Sequence, residues 1–262
     1  MTRGNNKTTS AIKELKTNNS SVISENQEIA NTLNEHFATV GEKMGTQINT
    51  LQNGFAKFMP NTLDQSIYLS PTSCEQILKI IESLHNKSSS GDDNISQKLI
   101  KKVKEIVAPL ISKLINASIQ DQTYPKCLKL AKVIPIHKSG SRDDCNNYRP
   151  ISLLSTFNKI FEKKIHSDIV SFIEKNKILY DKQFGFRKFH STIDALINTH
   201  DFIIQQKANK MKIIGIFIDL KKAFDSIDNN ILIEKLTYYG ITGPYNKLLK
   251  SYLSDRKMYT HT

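Results

Sequence analysis

The sequence predicts an α+β protein, with helices in the first 120 residues and a mixture of strands and helices in later parts of the chain. Apolar residues recur at helical spacing over 28–44 and again after Ser73. Residues 130–140 are typical of a strand that leads to a turn, and a short apolar run bounded by polar residues, also typical of a strand, occurs at 213–218. A hydrophobic fraction of 39% over 262 residues is enough to build a sizeable core.

The run at 213–218 is the most informative stretch because it leads directly into Asp219. Its six residues are mostly β-branched or aromatic, which predicts a strand buried on both faces. A carboxylate at the C-terminal end of such a strand lies at a sheet rim, where it can hold a hard cation against a phosphate. The local pattern leaves a second interpretation open, in which Asp219 only caps the next helix.

The net charge of +12 is distributed unevenly. Residues 1–120 carry 13 Lys and Arg against 11 Asp and Glu, whereas residues 121–262 carry 24 against 14. A near-neutral half joined to a half with net charge +10 favours a polyanionic partner for the C-terminal part. A generic lysine-rich surface is the alternative that charge alone leaves open.

The cysteine pattern and the lack of long apolar runs indicate the cellular compartment in which the protein is expected. Cys74, Cys127 and Cys145 are odd in number and lack paired-ligand spacing, which argues against a disulfide framework and a zinc site. No apolar run reaches the length of a membrane span, and Met1 is followed by polar residues. We expect a soluble, intracellular protein without a membrane partner; the sequence does not distinguish nucleus from cytoplasm.

The first part of the chain predicts a disordered lead-in over residues 1–27, which are rich in Asn, Thr, Ser and Lys. Residues 28–117 predict a helical connector. Within it, Ser73 and the glutamine three residues later have capping-box spacing, and Pro109 predicts the first turn of a further helix. The polar loop at 87–95 predicts a flexible turn.

A hairpin is predicted by two strand-like runs, 130–136 and 147–154, joined by a polar loop. Pro135 indicates that the first is an edge strand. Lys138 in the loop and Arg149 on the return strand can converge on phosphate groups. Arginine suits bidentate contact with phosphate oxygens, whereas lysine acts as a mobile point charge.

The segment Gln183–Thr192 combines a tight bend with a helix start. Gly185 permits the bend, and Arg187 can reach a phosphate. Ser191 with Asp194 predicts the start of a helix that runs to about residue 209.

Three more helices are predicted from apolar spacing and caps. The first spans 156–179. The second begins after Asp228 and ends at Gly240, and the third begins at Pro244. Their apolar stripes indicate core packing.

Several blocks between about residues 87 and 262 resemble reverse transcriptases of non-LTR (LINE-type) retrotransposons. The matching blocks are Lys87–Ile95, Pro135–Gly140, Tyr148–Ser152, Gln183–Arg187 with Ser191–Thr192, Phe217–Asp225 and Ser251–Arg256. Their family order makes chance similarity a poor explanation. The Asp-Leu-Lys-Lys-Ala-Phe-Asp form favours the LINE type over the group II intron type. Phe189-His190 departs from the family, which often has a glycine there.

The resemblance implies the fold of a right-hand polymerase. Residues 118–262 would form the fingers and the first half of the palm of the reverse transcriptase domain. By analogy, Asp219 and the backbone carbonyl of Leu220 bind the catalytic metals, two Mg²⁺ ions in the intact enzyme. The implied reaction adds deoxynucleotides to a DNA primer on an RNA template.

The resemblance also implies nucleotide-binding residues. Lys138 and Arg149 grip the triphosphate of the incoming deoxynucleoside triphosphate, and Phe224 lies under its sugar and screens out a 2′-hydroxyl. Gln183 and Arg187 contact the template base or the nucleotide.

The family's second palm motif, aromatic-x-Asp-Asp, does not occur after Asp219; Asp pairs stand only at 92–93 and 143–144. Two-metal phosphoryl transfer needs carboxylates that hold two cations roughly 4 Å apart. We therefore predict that the chain is truncated before this motif and the thumb, and that it is inactive as a polymerase. The alternative is a basic nucleic-acid-binding remnant without catalysis.

Overall fold

A computed structural model of the chain confirms the α+β class and describes residues 12–16, 21–45, 54–59, 63, 65–68, 70–220, 223–224 and 226–261. These residues belong to two compact units, one within 1–167 and 224–262 and the other within 168–223. Among the described helices, none has the length and apolar character needed to cross a membrane. The predicted boundary between connector and polymerase domain stays a prediction.

The helices and strands follow one another as β1 (Leu15–Lys16), β2 (Val22–Ile23), α1 (Asn26–Gly45), α2 (Cys74–Glu82), α3 (Gln97–Lys102), α4 (Lys104–Gln120), β3 (Leu130–His137), β4 (Tyr148–Leu153), α5 (Thr156–Lys175), α6 (Thr192–Ala208), α7 (Asn229–Tyr238), α8 (Gly243–Leu253) and β5 (Lys257–Thr260). Short 3₁₀ helices lie at Gly54–Phe58, Lys126–Leu128 and Cys145–Asn147.

The larger sheet has the strand order β4-β3-β5. β3 pairs antiparallel with β4, which confirms the hairpin, and it pairs parallel with β5. The prediction that Pro135 marks an edge strand is wrong, because β3 is central. Proline is tolerated there because β5 pairs with β3 only as far as Val133, so Pro135 has no hydrogen bond to make on that side.

Helix α1 packs on one face of this sheet. The shared core contains the buried side chains Leu15, Ile29, Leu33, Phe37, Val133 and Tyr148. Part of the lead-in predicted to be disordered is therefore ordered, since β1 pairs with β2 and Leu15 is fully buried. Burial and a Lys16 Nζ–Asp143 Oδ2 ion pair at 2.5 Å offset the polar composition of this segment. Residues 1–11 and 17–20 of the lead-in lie outside the described residues.

The predicted capping box before α2 is confirmed, with Ser73 Oγ accepting from the Gln76 N–H at 3.2 Å. The prediction that Pro109 starts a helix is wrong, because α4 begins at Lys104 and contains Pro109. Its buried residues include Ala108, Ile111 and Ile115 on both sides of the proline. Burial of this apolar face outweighs the hydrogen bond that the proline cannot form.

The loop at 87–95, predicted to be a flexible turn, is tied down by specific contacts. Thr156 Oγ1 donates to the Ile95 carbonyl at 2.8 Å, and the Tyr259 hydroxyl donates to Asp92 Oδ1 at 2.7 Å. A Cβ atom added at Gly91 would lie 2.5 Å from the Ser155 nitrogen. Only glycine allows this close backbone approach, which holds the loop against the start of α5.

The later helices agree with their predicted starts. Ser191 and Asp194 form the capping box of α6, Asp228 caps α7, and Pro244 lies in the first turn of α8. Helix α5 ends at Lys175, four residues before the predicted end at 179. Lys177 has φ +51°, a left-handed conformation that terminates a helix.

Candidate active site

The β3–β4 hairpin places Lys138 and Arg149 close together. Arg149 is paired with Ile136 across the ladder, and the Lys138 N–H donates to the Asn147 carbonyl at 2.8 Å. Because side chains alternate between the faces of a strand, Ile136, Lys138 and Arg149 belong to the same face of the hairpin.

This face is the open one. Val133 and Tyr148 are on the other face, where they pack against α1. The face with Arg149 also carries Ile136 and Ile151, and both isoleucines are exposed. The hairpin therefore presents two cations beside two apolar side chains to whatever approaches this surface.

The turn that carries Lys138 is held by internal hydrogen bonds. Gly140 has φ +82°, which favours glycine. The Asn147 amide donates to the Ser141 carbonyl at 2.8 Å, and the Tyr148 hydroxyl donates to the Arg142 carbonyl at 2.6 Å. The turn is thus a defined platform for Lys138.

Asp143 connects this turn to the N-terminal segment. The ammonium of Lys16 and the hydroxyl of Ser141 both donate to its carboxylate, which lowers the pKa of Asp143 to about 2. One of the two carboxylates of this loop, Asp143, is therefore already engaged by Lys16. It stays ionised at neutral pH without neutralising the cations of the open face.

Within the part of the chain that the structure describes, Arg149 and Lys138 form no side-chain hydrogen bond or ion pair. Exposed cations without protein partners are available to an external anion. The hairpin carries both residues on one face, and their predicted contact with a triphosphate stays a prediction.

In the second unit, Arg187 has protein partners. Its guanidinium contacts Glu174, with Nη2–Oε2 at 3.3 Å, and donates to the Tyr180 carbonyl at 3.3 Å. Its side chain is 13% exposed. Gln183 donates to the Gly185 carbonyl at 3.2 Å. Both side chains therefore stabilise their own loop, and their predicted contacts with template or nucleotide stay predictions.

The departure from the family at Phe189 coincides with an unusual backbone. Phe189 has φ +59°, in the left-handed region that favours glycine, and its side chain is 100% exposed. This sequence therefore keeps the turn geometry that a glycine would adopt easily, at the cost of backbone strain.

The prediction of a buried strand at 213–218 is wrong. The segment has no regular secondary structure, and Phe217 is 98% exposed. A strand needs a hydrogen-bonded neighbour, and no described residue pairs with this segment. Asp219 and Leu220 follow it as exposed residues, so the described residues do not place the carboxylate at a sheet rim.

Phe224 is exposed and belongs to the first unit, whereas Asp219 and Leu220 belong to the second. Residues 221, 222 and 225 of the same motif lie outside the described residues. The seven predicted site residues thus fall into four groups: Lys138 with Arg149 on the hairpin, Gln183 with Arg187 on their loop, Asp219 with Leu220, and Phe224.

The residues that the structure describes do not assemble a metal site on their own. They contain no group of three or more His, Cys, Asp or Glu side chains that could hold a metal ion. Mg²⁺ requires near-octahedral oxygen coordination. Asp219 offers one exposed carboxylate, which fits part of such a ligand set.

All seven predicted site residues fall inside one family match. The family described as "Reverse transcriptase (RNA-dependent DNA polymerase)" matches residues 136–262.

Curated relatives agree with this match. The probable RNA-directed DNA polymerase from transposon BS of Drosophila melanogaster is 35% identical over 196 residues, or 74% of this chain and 22% of that protein. The RNA-directed DNA polymerase from mobile element jockey of the same species is 28% identical over 201 residues, covering 76% and 22%. The corresponding protein of transposon X-element is 31% identical over 196 residues, covering 74% and 22%.

The chain contains a reverse transcriptase region of the non-LTR type. It spans about a fifth of the length of these curated relatives. The family assignment therefore applies to this region of the reverse transcriptase.

Sequence reasoning missed one basic group. Lys129 precedes β3 and is 6% exposed, although lysine is normally a surface residue. A lysine before an apolar run carries no local signal of burial. Only the pairing of β3 with β5 shows that this position is enclosed.

Proposed function

We propose that this region is part of an RNA-directed DNA polymerase of a non-LTR retrotransposon, and that the open face of the β3–β4 hairpin grips the triphosphate of the incoming deoxynucleotide. The observation that carries the proposal is the pair of exposed cations, Lys138 and Arg149, without protein partners on one face of an ordered hairpin. In polymerase terms, the hairpin corresponds to the fingers.

The two cations have different roles in this proposal. The planar guanidinium of Arg149 can donate two parallel hydrogen bonds to phosphate oxygens, while Lys138 supplies a mobile charge from the turn. Ile136 and Ile151 flank Arg149 on the same face, and all three residues are exposed. A triphosphate that covers the isoleucines would exclude water, and exclusion of water strengthens a contact between guanidinium and phosphate.

The remaining site residues follow the family analogy. In the intact enzyme, Asp219 and the Leu220 carbonyl would hold Mg²⁺ with further ligands, and Phe224 would lie under the sugar. The two metal ions would polarise the transferred phosphoryl group and lower the energy of its developing charge. Gln183 and Arg187 would support the loop near the template base. RNA template, DNA primer and deoxynucleoside triphosphates are the proposed partners.

We expect the 262-residue chain to be inactive by itself. Asp219 is the single proposed metal carboxylate of this chain, and the segment leading to it is exposed and unpaired. Without a sheet to fix its position, the carboxylate is not preorganised for catalysis.

A second candidate function, nucleic-acid binding without catalysis, is favoured by the same exposed segment. The basic half of the chain, with net charge +10, would bind the phosphate backbone whatever the conformation of Asp219. This candidate predicts steep salt dependence of binding and no effect of Asp219→Ala.

The proposal is tested by measuring the affinity of the chain for a fluorescent deoxynucleoside triphosphate by anisotropy. Arg149→Ala should weaken binding roughly ten- to a hundred-fold, the range expected for losing charge-assisted hydrogen bonds. Arg149→Lys should recover only part of the loss, because lysine cannot donate in the bidentate manner.

Lys113→Ala provides the matched control, since Lys113 is an exposed cation on α4. Equal affinities for Arg149→Ala and Lys113→Ala would overturn the triphosphate grip. If Arg149→Ala binds the nucleotide as tightly as the unmodified chain does, and RNA binding depends steeply on salt, the results favour the non-catalytic candidate.

A further inference from the structure

We propose that a basic cavity at the start of β3 and β5 binds a phosphate group of a nucleic-acid strand, at a site separate from the β3–β4 turn. The cavity has a volume of about 640 Å³. It is lined by Asp92, Lys126, Cys127, Lys129, Leu130, Asp255 and Lys257. The inference rests on the proposed nucleic-acid-binding function and adds a second contact point for the strand.

The fold gathers three lysines from two separate parts of the chain. Lys126 and Lys129 stand at the beginning and just after the end of a single 3₁₀ turn, and Lys257 begins β5. Leu130 pairs with Lys257, and the Lys257 N–H donates to the Lys129 carbonyl at 3.1 Å. This parallel pairing brings residues 127 positions apart in sequence to one cavity wall.

The burial of Lys129 without a partner is the observation that most strongly indicates a ligand. It lines the cavity with 94% of its surface buried, and its ammonium forms no hydrogen bond or ion pair with any described residue. A buried charge without a partner is costly, so such groups normally have a counter-ion or an acceptor. An anion in the cavity would be both the counter-ion and the hydrogen-bond acceptor of the Lys129 ammonium.

The carboxylates of the cavity do not supply that partner. Asp92 accepts the Tyr259 hydroxyl at 2.7 Å, and neither Asp92 nor Asp255 forms an ion pair with a lysine among the described residues. Three lysines and two aspartates therefore line the cavity, and one of the aspartates, Asp92, already accepts a hydrogen bond from Tyr259. A phosphate fits this balance, because its oxygens accept from several ammonium groups at once.

Two anions share this chemistry: the backbone phosphate of a strand and free inorganic phosphate. We favour the strand because residues 121–262 carry the basic excess and residues 136–262 match a reverse transcriptase family.

The first measurement is the affinity of the full chain for a fluorescein-labelled single-stranded RNA 12-mer over a range of salt concentrations. Lys129→Met should weaken binding about ten-fold, the loss expected for one charge-assisted contact. It should also lower the slope of log affinity against log salt by about 0.7, the value for one phosphate of a single strand. Lys113→Met, which removes an exposed lysine on α4, should leave affinity and slope unchanged.

Cys127 provides a second readout that needs no mutation. Its thiol lines the cavity, so the RNA 12-mer should slow its alkylation by N-ethylmaleimide, as followed by peptide mass spectrometry; Cys74 and Cys145 serve as internal references. If Lys129→Met fails to fold, Lys126→Gln at an exposed position and the Cys127 protection still decide the question.

Protection of Cys127 by RNA together with the Lys129→Met loss supports the strand phosphate. Protection by inorganic phosphate without protection by RNA overturns the strand as its source. If RNA binds but neither variant weakens binding and Cys127 stays unprotected, this cavity is not a phosphate site, while the proposed function of the β3–β4 hairpin is unaffected. Loss of nucleotide binding in Arg149→Ala tests that function separately.

Discussion

Replacing Tyr124 with phenylalanine should destabilise the first unit through a single lost hydrogen bond. The Tyr124 hydroxyl donates to Asn158 Oδ1 at 2.7 Å, and both residues are fully buried. Burial raises the pKa of Tyr124 well above its usual range, so the hydroxyl stays protonated as a donor. The ring contacts with Phe161 and Tyr252, at centroid distances of 4.6 and 4.9 Å, would remain.

The expected loss of stability follows from the unpaired polar groups of Asn158 that the substitution leaves in the core. The Asn158 Nδ2 group already has no partner among the described residues, so Tyr124→Phe would leave the entire buried amide without one. An unsatisfied buried acceptor costs about 1–3 kcal/mol. The free energy of unfolding should therefore fall by about 2 kcal/mol, which corresponds to roughly a thirty-fold change in the unfolding equilibrium.

The assay is urea unfolding followed by circular dichroism, because the chain contains no tryptophan. Tyr124→Phe should lower the urea midpoint without changing the slope. Tyr68→Phe is the matched control: Tyr68 is 85% exposed, and its hydroxyl forms no hydrogen bond with any described residue, so its loss should cost less than about 1 kcal/mol. Equal costs for the two variants would refute the reasoning.

A double substitution provides a sharper check. Tyr124→Phe combined with Asn158→Leu removes donor and acceptor together, so the cost should be smaller than the sum of the two single changes. Additive costs would mean that the hydrogen bond between Tyr124 and Asn158 does not couple the two positions.

Two further predictions concern the second unit and catalysis. Phe189→Gly should slow amide hydrogen exchange at the start of α6, because it relieves a left-handed conformation costing about 1–2 kcal/mol and removes no buried surface. Phe189→Ala keeps the strained conformation and should not slow the exchange. Faster exchange in the glycine variant would contradict this account. The purified chain should give no magnesium-dependent primer extension on an RNA template, because Asp219 follows a segment that no described residue pairs with. An extension product that disappears in Asp219→Ala would show that the expected inactivity is wrong.

Much of the fold could be predicted where the signal is local. The capping boxes at Ser73 and Ser191 and the cap at Asp228 mark the starts of three helices, because each involves hydrogen bonds within a few residues. The hairpin with Lys138 and Arg149 was likewise predictable, since alternating apolar residues and a polar turn define it. The end of α5 and the role of Pro109 were not, because packing decides how far a helix continues.

Strand pairing between distant residues could not be predicted. β5 has little sequence signal of its own, because a strand of four residues, Lys257–Thr260, is specified by its pairing with β3. The same holds for β1 and β2, which are ordered by the burial of Leu15 under α1.

Residue type and short-range spacing were enough to predict the family, the α+β class, most helix starts and the candidate residues from Lys138 to Phe224. Only the folded chain shows that no described residue pairs with 213–218, that Arg187 binds Glu174, and that Lys129 lines a basic cavity. The physical reason is that burial and pairing depend on partners far away in sequence, and no local pattern specifies them.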